Sequence, residues 1–351
     1  MSESGPPTLK DVADRAGVHV GTASRALSDD QSHLVSEETR ARVRSAADAL
    51  GYRTNALAQS LRKGTTGVVG VVVADLSNPF VVSLLRGVEH EARSRDVMPL
   101  VAETHDEPDI LRSVLTRLLR QRVDAIILSA IHTTDEELVA DLERRVPVVL
   151  AVRGVGEGFD VTAEARHLEV LQDDVLGART AVNHLIGLGH RRIAQLPGNQ
   201  QISSFAGRTE GYRAALAAHP DVEDVSTGAI AIDSTVAEGR RLATELLRRS
   251  AEHRPTAIFA HNDQMAVGAL DALRDAGLRC PDDVSVVGYN DAPLSDHIDP
   301  PLTTVRLPSF ELGRHSARLA FAAIASGVTK PERIVLAPEF IERKSTRAVG
   351  T

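Results

Sequence analysis

The sequence predicts an α/β protein in two parts, a small helical N-terminal unit and a larger doubly wound core. Residues 1–63 show short helical patterns without a strand pattern. After Gly67, continuous apolar runs of strand length alternate with longer helical patterns, which is typical of parallel sheets covered on both faces. The 351 residues suffice for two or three domains of ~100–200 residues each. We predict a helix-turn-helix unit over 1–53, a hinge helix and linker over 54–66, and a two-lobed core over 67–351.

The first two helices carry clear boundary signals. Thr8 and Asp11 have the spacing of a capping box before a helix over Leu9–Ala16, and Gly17 predicts its end. A second short helix is predicted over Val18–Leu27. Two helices joined by a tight turn at a glycine form a helix-turn-helix arrangement.

Two further helices are predicted before the core. The third follows Ser36 and ends at Gly51. The fourth would run from Thr54 to Gly64, about two turns, and such a short helix is marginal alone in water. We therefore expect it to fold only against a partner, with a plain flexible linker as the alternative.

The strands of the core are predicted from seven apolar runs. These cover 68–74, 97–102, 125–128, 146–152, 192–196, 257–260 and 284–288. The intervening helical patterns include 110–120 and 176–188. Because this alternation extends over more residues than one ordinary sheet domain, we expect two similar lobes.

Composition limits the classes of function. The net charge is −8, but residues 1–64 carry nine Lys/Arg against eight Asp/Glu, so the helical part is slightly basic. The single Cys280 excludes an internal disulfide and a multi-thiolate metal site. The polar N-terminus and the absence of a long apolar run predict a cytoplasmic protein.

Ordered motifs extend over about residues 8–343. They are TLKDVADRAGVHVGTASRALS (8–28), VSEETRARV (35–43), LGYRTNALAQSLR (50–62), SNPF (77–80), VDAIIL (123–128), HLIGLGHRRI (184–193), RTEGY (208–212), NDQMAVGAL (262–270), PDDVSVVGYN (281–290) and PLTTV (301–305). In this order they resemble the lactose-repressor (LacI/GalR) family of transcriptional regulators. The resemblance implies a DNA-binding headpiece and a core with the two-lobed periplasmic-binding-protein fold.

For the headpiece, the resemblance implies a recognition helix in the major groove. It places Val20, Gly21 and Arg25 at base-reading positions, with Thr22 and Ser24 near phosphates or bases. Arg25 can offer a bidentate fork to guanine, and Val20 an apolar contact to a thymine methyl group.

The sequence departs from the family pattern at His19, at the slightly longer loop 31–33 and at Thr54. His19 replaces the usual Ser or Thr helix cap, which leaves the start of the recognition helix open.

The resemblance also implies DNA contacts for the hinge helix. It would lie in the minor groove of DNA, with Leu61 wedged between base pairs, Asn55 on the backbone and Arg62 in the groove. Thr54 replaces the common Pro.

For the core, the resemblance implies an effector site between the lobes. Its predicted residues are Phe80, Val81, Arg153, Ser204, Arg208, Asn262 and Asn290. The guanidinium of Arg208 is expected to donate hydrogen bonds to two ligand oxygens. Val152 stands where many members have an acidic residue, and Asn290 replaces an Asp, so a ligand held by several carboxylates is not expected.

These inferences predict a homodimeric, allosteric repressor that binds a near-palindromic DNA operator. Its small-molecule effector, a sugar or related metabolite, would be either an inducer or a co-repressor. An activator of the same family and a solute-binding receptor without a DNA role are the alternatives. We predict no enzyme, cofactor or metal, because the sequence lacks a catalytic pair, a phosphate loop and metal-ligand spacing.

Overall fold

The computed structural model describes residues 7–28, 32–52, 65–156 and 164–350. The fold divides into two compact units, residues 1–66 and 67–351. Each unit is described separately below, and elements are numbered in chain order.

The described part of the first unit is helical. Its helices are α1 (Leu9–Ala16), α2 (Val20–Ala26) and α3 (Glu37–Leu50), with a 3₁₀ turn over Ser32–Leu34. The three helices pack through a small core of valine and alanine side chains. The predicted capping box of α1, the Ser36 cap of α3 and the glycine stops are confirmed.

The start of α2 differs from the prediction by two residues. The helix begins at Val20 because His19 is its N-cap, and the Nδ1 atom of His19 accepts the N–H of Gly21 at 3.1 Å. An imidazole thus caps the helix where the family pattern has a hydroxyl, and this fixes the helix start that the sequence left open.

The first lobe of the core contains a six-stranded parallel sheet. Its strands are β1 (Val68–Val73), β2 (Met98–Glu103), β3 (Ala125–Leu128), β4 (Val148–Ala151), β5 (Leu168–Gln172) and β11 (Glu332–Leu336). Their order is β11–β5–β4–β3–β1–β2, so β2 and β11 are the edges. Its helices are α4 (Pro79–Arg93), α5 (Pro108–Arg120), α6 (Glu136–Glu143) and α11 (Ser309–Ser326).

The second lobe contains a four-stranded parallel sheet in the order β7–β6–β8–β9. The strands are β6 (Arg192–Leu196), β7 (Glu223–Asp224), β8 (Ala257–Ala260) and β9 (Ser285–Val287). An antiparallel pair, β10 (Thr304–Arg306) and β12 (Glu339–Ile341), lies beside it. The helices are α7 (Asp174–Gly187), α8 (Ser203–Ala217), α9 (Val236–Leu247) and α10 (Asp263–Asp275).

The predicted doubly wound architecture is confirmed. The runs 125–128, 192–196 and 257–260 are strands with the predicted bounds, and the other four predicted strands shift by one or two residues at their ends. The prediction omitted β5, β7, β10, β11 and β12. Four of these, all except the buried β5, are short or lie at a sheet edge, where an uninterrupted apolar run is not required.

The chain passes between the lobes three times. The passages follow β5, β10 and β11. They leave a cleft that faces the carboxyl ends of the parallel strands of both sheets, where ligands bind in open α/β folds. No helix within the described ranges is long and apolar enough to cross a membrane.

Candidate functional site

A cavity of about 320 Å³ lies between the two lobes of the core. Part of its lining comes from residues that lie within three positions after the end of a strand of either sheet. These residues include Asp75, His105, Asp106, Ser129, Arg153, Asn262 and Asn290. Parallel strands bring their carboxyl ends to one edge, so distant segments of the chain meet here.

All seven side chains predicted for the effector site line this one cavity. They are Phe80, Val81, Arg153, Ser204, Arg208, Asn262 and Asn290. The first three belong to the first lobe and the last four to the second. The cavity is therefore built by both lobes, and a bound molecule would contact both.

Arg208 is buried and already has partners in the protein. Its Nε donates to Asp174 Oδ1 at 2.9 Å, and its Nη1 donates to the carbonyl oxygen of His261. The guanidinium carbon lies 3.9 Å from the ring centre of Tyr289. Burial raises the pKa of Asp174, and the positive charge of Arg208 opposes that rise. The guanidinium was expected to donate to two ligand oxygens, but two of its nitrogens donate to protein oxygens instead.

Arg153 also has a carboxylate partner. Its Nη2 donates to Asp106 Oδ2 at 3.1 Å, and its Nη1 donates to Oδ1 of the same residue. Burial opposes the ionisation of Asp106, but the charge and hydrogen bonds of Arg153 outweigh it and lower the pKa of Asp106. This bidentate pair joins the residues that follow β2 and β4.

Asn262 holds the cavity wall in place. Its Oδ1 accepts the N–H of Met265 at 2.7 Å and caps α10, while its Nδ2 donates to the carbonyl oxygen of Ser234 at 2.8 Å. The loop before α9, which contributes Asp233 and Ser234 to the lining, is thereby fixed to α10. The resemblance assigned the Asn262 amide to the effector, but both its oxygen and its nitrogen form hydrogen bonds within the protein.

The expectation of a site without several carboxylates is corrected by the structure. Asp75, Asp106 and Asp233 all line the cavity. The expectation rested on two positions, Val152 and Asn290, at which this sequence lacks the acidic residue of the family pattern. These carboxylates come from other loops, and only the fold brings them to the cleft.

Hydrogen bonds between described residues connect the lobes beside the cavity. The N–H of Thr133 donates to the carbonyl oxygen of Gln201 at 2.7 Å. The N–H of Gly154 donates to Ser203 Oγ at 2.8 Å. The lobes are thus in contact along one side of the cleft.

The predicted DNA-reading residues lie on α2. Val20 and Arg25 are exposed, and Gly21, Thr22 and Ser24 are partly exposed, whereas Ala23 and Ala26 are buried in the helical core. The five predicted residues thus lie on the part of α2 that is not buried in the helical core. The hinge residues Thr54, Asn55, Leu61 and Arg62 lie outside the described residues.

Two family models match parts of the chain. Residues 8–55 match the model described as bacterial regulatory proteins, lacI family. Residues 182–346 match the model of a periplasmic binding protein-like domain. The first match covers the helices α1–α3, and the second covers most of the second lobe.

Known proteins resemble the chain over nearly its full length. The HTH-type transcriptional regulator GalS of Salmonella typhimurium is 34% identical, with 96% of each chain covered. The structure of the lac repressor dimer bound to operator and the anti-inducer ONPF is 29% identical, with a TM-score of 0.83, covering 98% of this chain and 100% of the other. The complex of the transcriptional regulator CelR with cellobiose is 32% identical, with a TM-score of 0.71, covering 97% and 99%.

Proposed function

The chain belongs to the lacI family of bacterial regulatory proteins, and we propose that it is a repressor whose operator affinity is controlled by a small molecule. The observation that carries the proposal is the cavity between the lobes, which is lined by all seven predicted effector residues. The helix-turn-helix unit supplies the second site. A sugar or related metabolite is the proposed effector, and the proposed location is the cytoplasm, where the DNA is.

The proposed mechanism couples the cleft to DNA through the relative position of the lobes. A molecule that contacts both lobes stabilises one lobe arrangement over the other by the difference in its affinity for the two. The interlobe bonds at Thr133 and Gly154 belong to the arrangement seen here. A change between arrangements would alter the support of the hinge segment 54–66 and so fold or release the hinge helix.

We also propose a homodimer, because a two-fold dimer matches a near-palindromic operator. Edge strand β2 exposes three apolar side chains, Met98, Leu100 and Val101. An exposed apolar sheet edge is a candidate pairing surface. In analytical ultracentrifugation, Met98→Glu should shift the protein toward monomer. The control Val328→Glu, at another exposed apolar residue, should not.

DNA binding can be tested by selecting genomic fragments with the purified protein. The selected fragments should share a near-palindromic sequence, and the affinity should fall steeply between about 50 and 200 mM salt because phosphate contacts release counterions. Arg25→Ala should weaken binding and relax one base preference, whereas Arg44→Ala, also an exposed arginine, should preserve the motif. A flat salt dependence without a common motif would refute the proposal.

A further inference from the structure

We propose that the effector carries no negative charge, so that the cavity takes a free polyhydroxylated molecule, such as a sugar or an amino sugar, and rejects its phosphate and carboxylate derivatives. The inference rests on the proposed function, because it concerns the same cavity. It follows from the way in which the protein itself neutralises the positive charges of that cavity.

The two arginines that line the cavity do not offer a free positive charge. Arg208 and Asp174 form an ion pair with side chains only 4% and 2% exposed. Arg153 is 11% exposed, and both of its terminal nitrogens donate to Asp106. A guanidinium that recognises phosphate relies on its positive charge as well as on its N–H donors. Because a carboxylate already neutralises each arginine, an anionic ligand would gain no net charge attraction from either of them.

Two more carboxylates line the cavity, and neither has an arginine partner among the described residues. Asp75 follows β1 of the first lobe, and its Oδ1 accepts only the N–H of Ser77 in its own turn, at 2.7 Å. Asp233 precedes α9 of the second lobe and is exposed. Among the described lining residues, the remaining ionisable group is His105, which lies 3.6 Å from Glu103. The lining thus has an excess of negative charge, contributed by both lobes.

The same groups suit a neutral ligand with many hydroxyl groups. Carboxylate and amide oxygens accept hydrogen bonds from hydroxyls, and residues with such oxygens, Asp75, Asp233 and Asn199, line the cavity. The rings of Phe80 and Phe205 supply apolar walls for the carbon face of a sugar ring. A ligand that donates to both lobes would also reduce the repulsion between the carboxylates across the cleft.

The charge of the natural effector can be tested before its identity is known. Heat-stable small molecules from the bacterium that encodes the protein are passed over an anion-exchange resin. Each fraction is added to the full-length protein on its selected operator. The activity that changes operator affinity should be in the unretained fraction. Activity found only in the retained, anionic fraction would overturn the inference. No activity in any fraction would instead contradict the proposed function.

A second experiment uses inorganic phosphate as the probe and needs neither effector nor operator. In calorimetric titration at constant ionic strength, the wild-type protein should show no saturable phosphate binding. Asp106→Asn removes the carboxylate that neutralises Arg153, so this variant should show saturable phosphate binding, at least about a hundredfold tighter than the detection limit set for the wild type. The control, Asp106→Asn combined with Arg153→Gln, should lose that gain.

Two results of this titration would overturn the inference. The first is saturable phosphate binding by the wild-type protein that Arg153→Gln abolishes. The second is an Asp106→Asn variant that folds normally, by circular dichroism, yet remains indifferent to phosphate.

Discussion

The side chains of Arg208 and Asp174 are buried together in the core, so each charge should depend on the other for compensation. Both side chains are almost fully buried, at 2.9 Å between Nε and Oδ1. Removing either partner leaves the other buried without its counter-charge. Gln172 still donates to Asp174, at 2.6 Å, but an amide supplies no charge. We therefore expect Arg208→Met and Asp174→Leu each to be severely destabilising.

The expected loss in unfolding free energy is about 3–5 kcal/mol for each single variant. Arg208→Met also loses the contact with the Tyr289 ring, which contributes about 1–2 kcal/mol at a desolvated site. The double variant removes both charges together, so it should lose much less than the sum of the singles. The coupling energy should exceed about 2 kcal/mol.

Denaturation by guanidinium, followed by near-ultraviolet circular dichroism, measures this loss. The protein has no tryptophan and three tyrosines, of which Tyr212 and Tyr289 are buried in the second lobe, so the signal reports the lobe that holds the pair. In Arg208→Met, the pKa of Asp174 should rise further, because the opposing charge is gone. Stability of that variant should then fall as the pH increases through the raised pKa.

Additivity would refute this reasoning. If the double variant loses the sum of the two single losses within about 0.5 kcal/mol, the two charges do not compensate each other. A loss below about 1 kcal/mol in both singles would show that water reaches the site and screens it.

Three further predictions concern other parts of the molecule. Gly313→Ala places a methyl group on the carbonyl oxygen of Leu84, where α11 meets α4, so the unfolding free energy from thermal denaturation should fall by at least about 2 kcal/mol. In the control Gly187→Ala the methyl group meets open space, so this variant should be as stable as the wild type. Gly21→Gln should change the base preference of selected operators without abolishing binding, since the side chain has room and can pair with an adenine edge; uniform loss of affinity with an unchanged motif would show that the helix register is wrong. Burial lowers the pKa of His190 to about 4, so the unfolding free energy should fall by up to about 3 kcal/mol as the pH drops from about 6.5 toward 4. Urea midpoints measured across this pH range test the assignment. If His190→Gln shows the same dependence of the midpoint on pH as the wild type, His190 is not the group responsible.

The sequence by itself determined the bounds of several local elements. Capping residues and glycine stops act on their own turn, so Thr8 and Gly17 predicted α1 with its observed bounds. Uninterrupted apolar runs are required of central parallel strands, so β3 and β8 could be located without a structure. The resemblance added the seven residues that line the cavity, because the fold places those positions at strand ends.

The tertiary structure alone decided the charge of the cavity. Arg153 and Asp106 are separated by 47 residues, and Arg208 and Asp174 by 34, so nothing in the local sequence predicts that they pair. Asp75 and Asp233 are still further apart and meet at one cleft only because two sheets present their carboxyl ends to each other. Capping hydrogen bonds and apolar periodicity involve residues that are close in sequence, so the sequence alone predicts them. The pairing of charges depends instead on which distant loops the fold brings together.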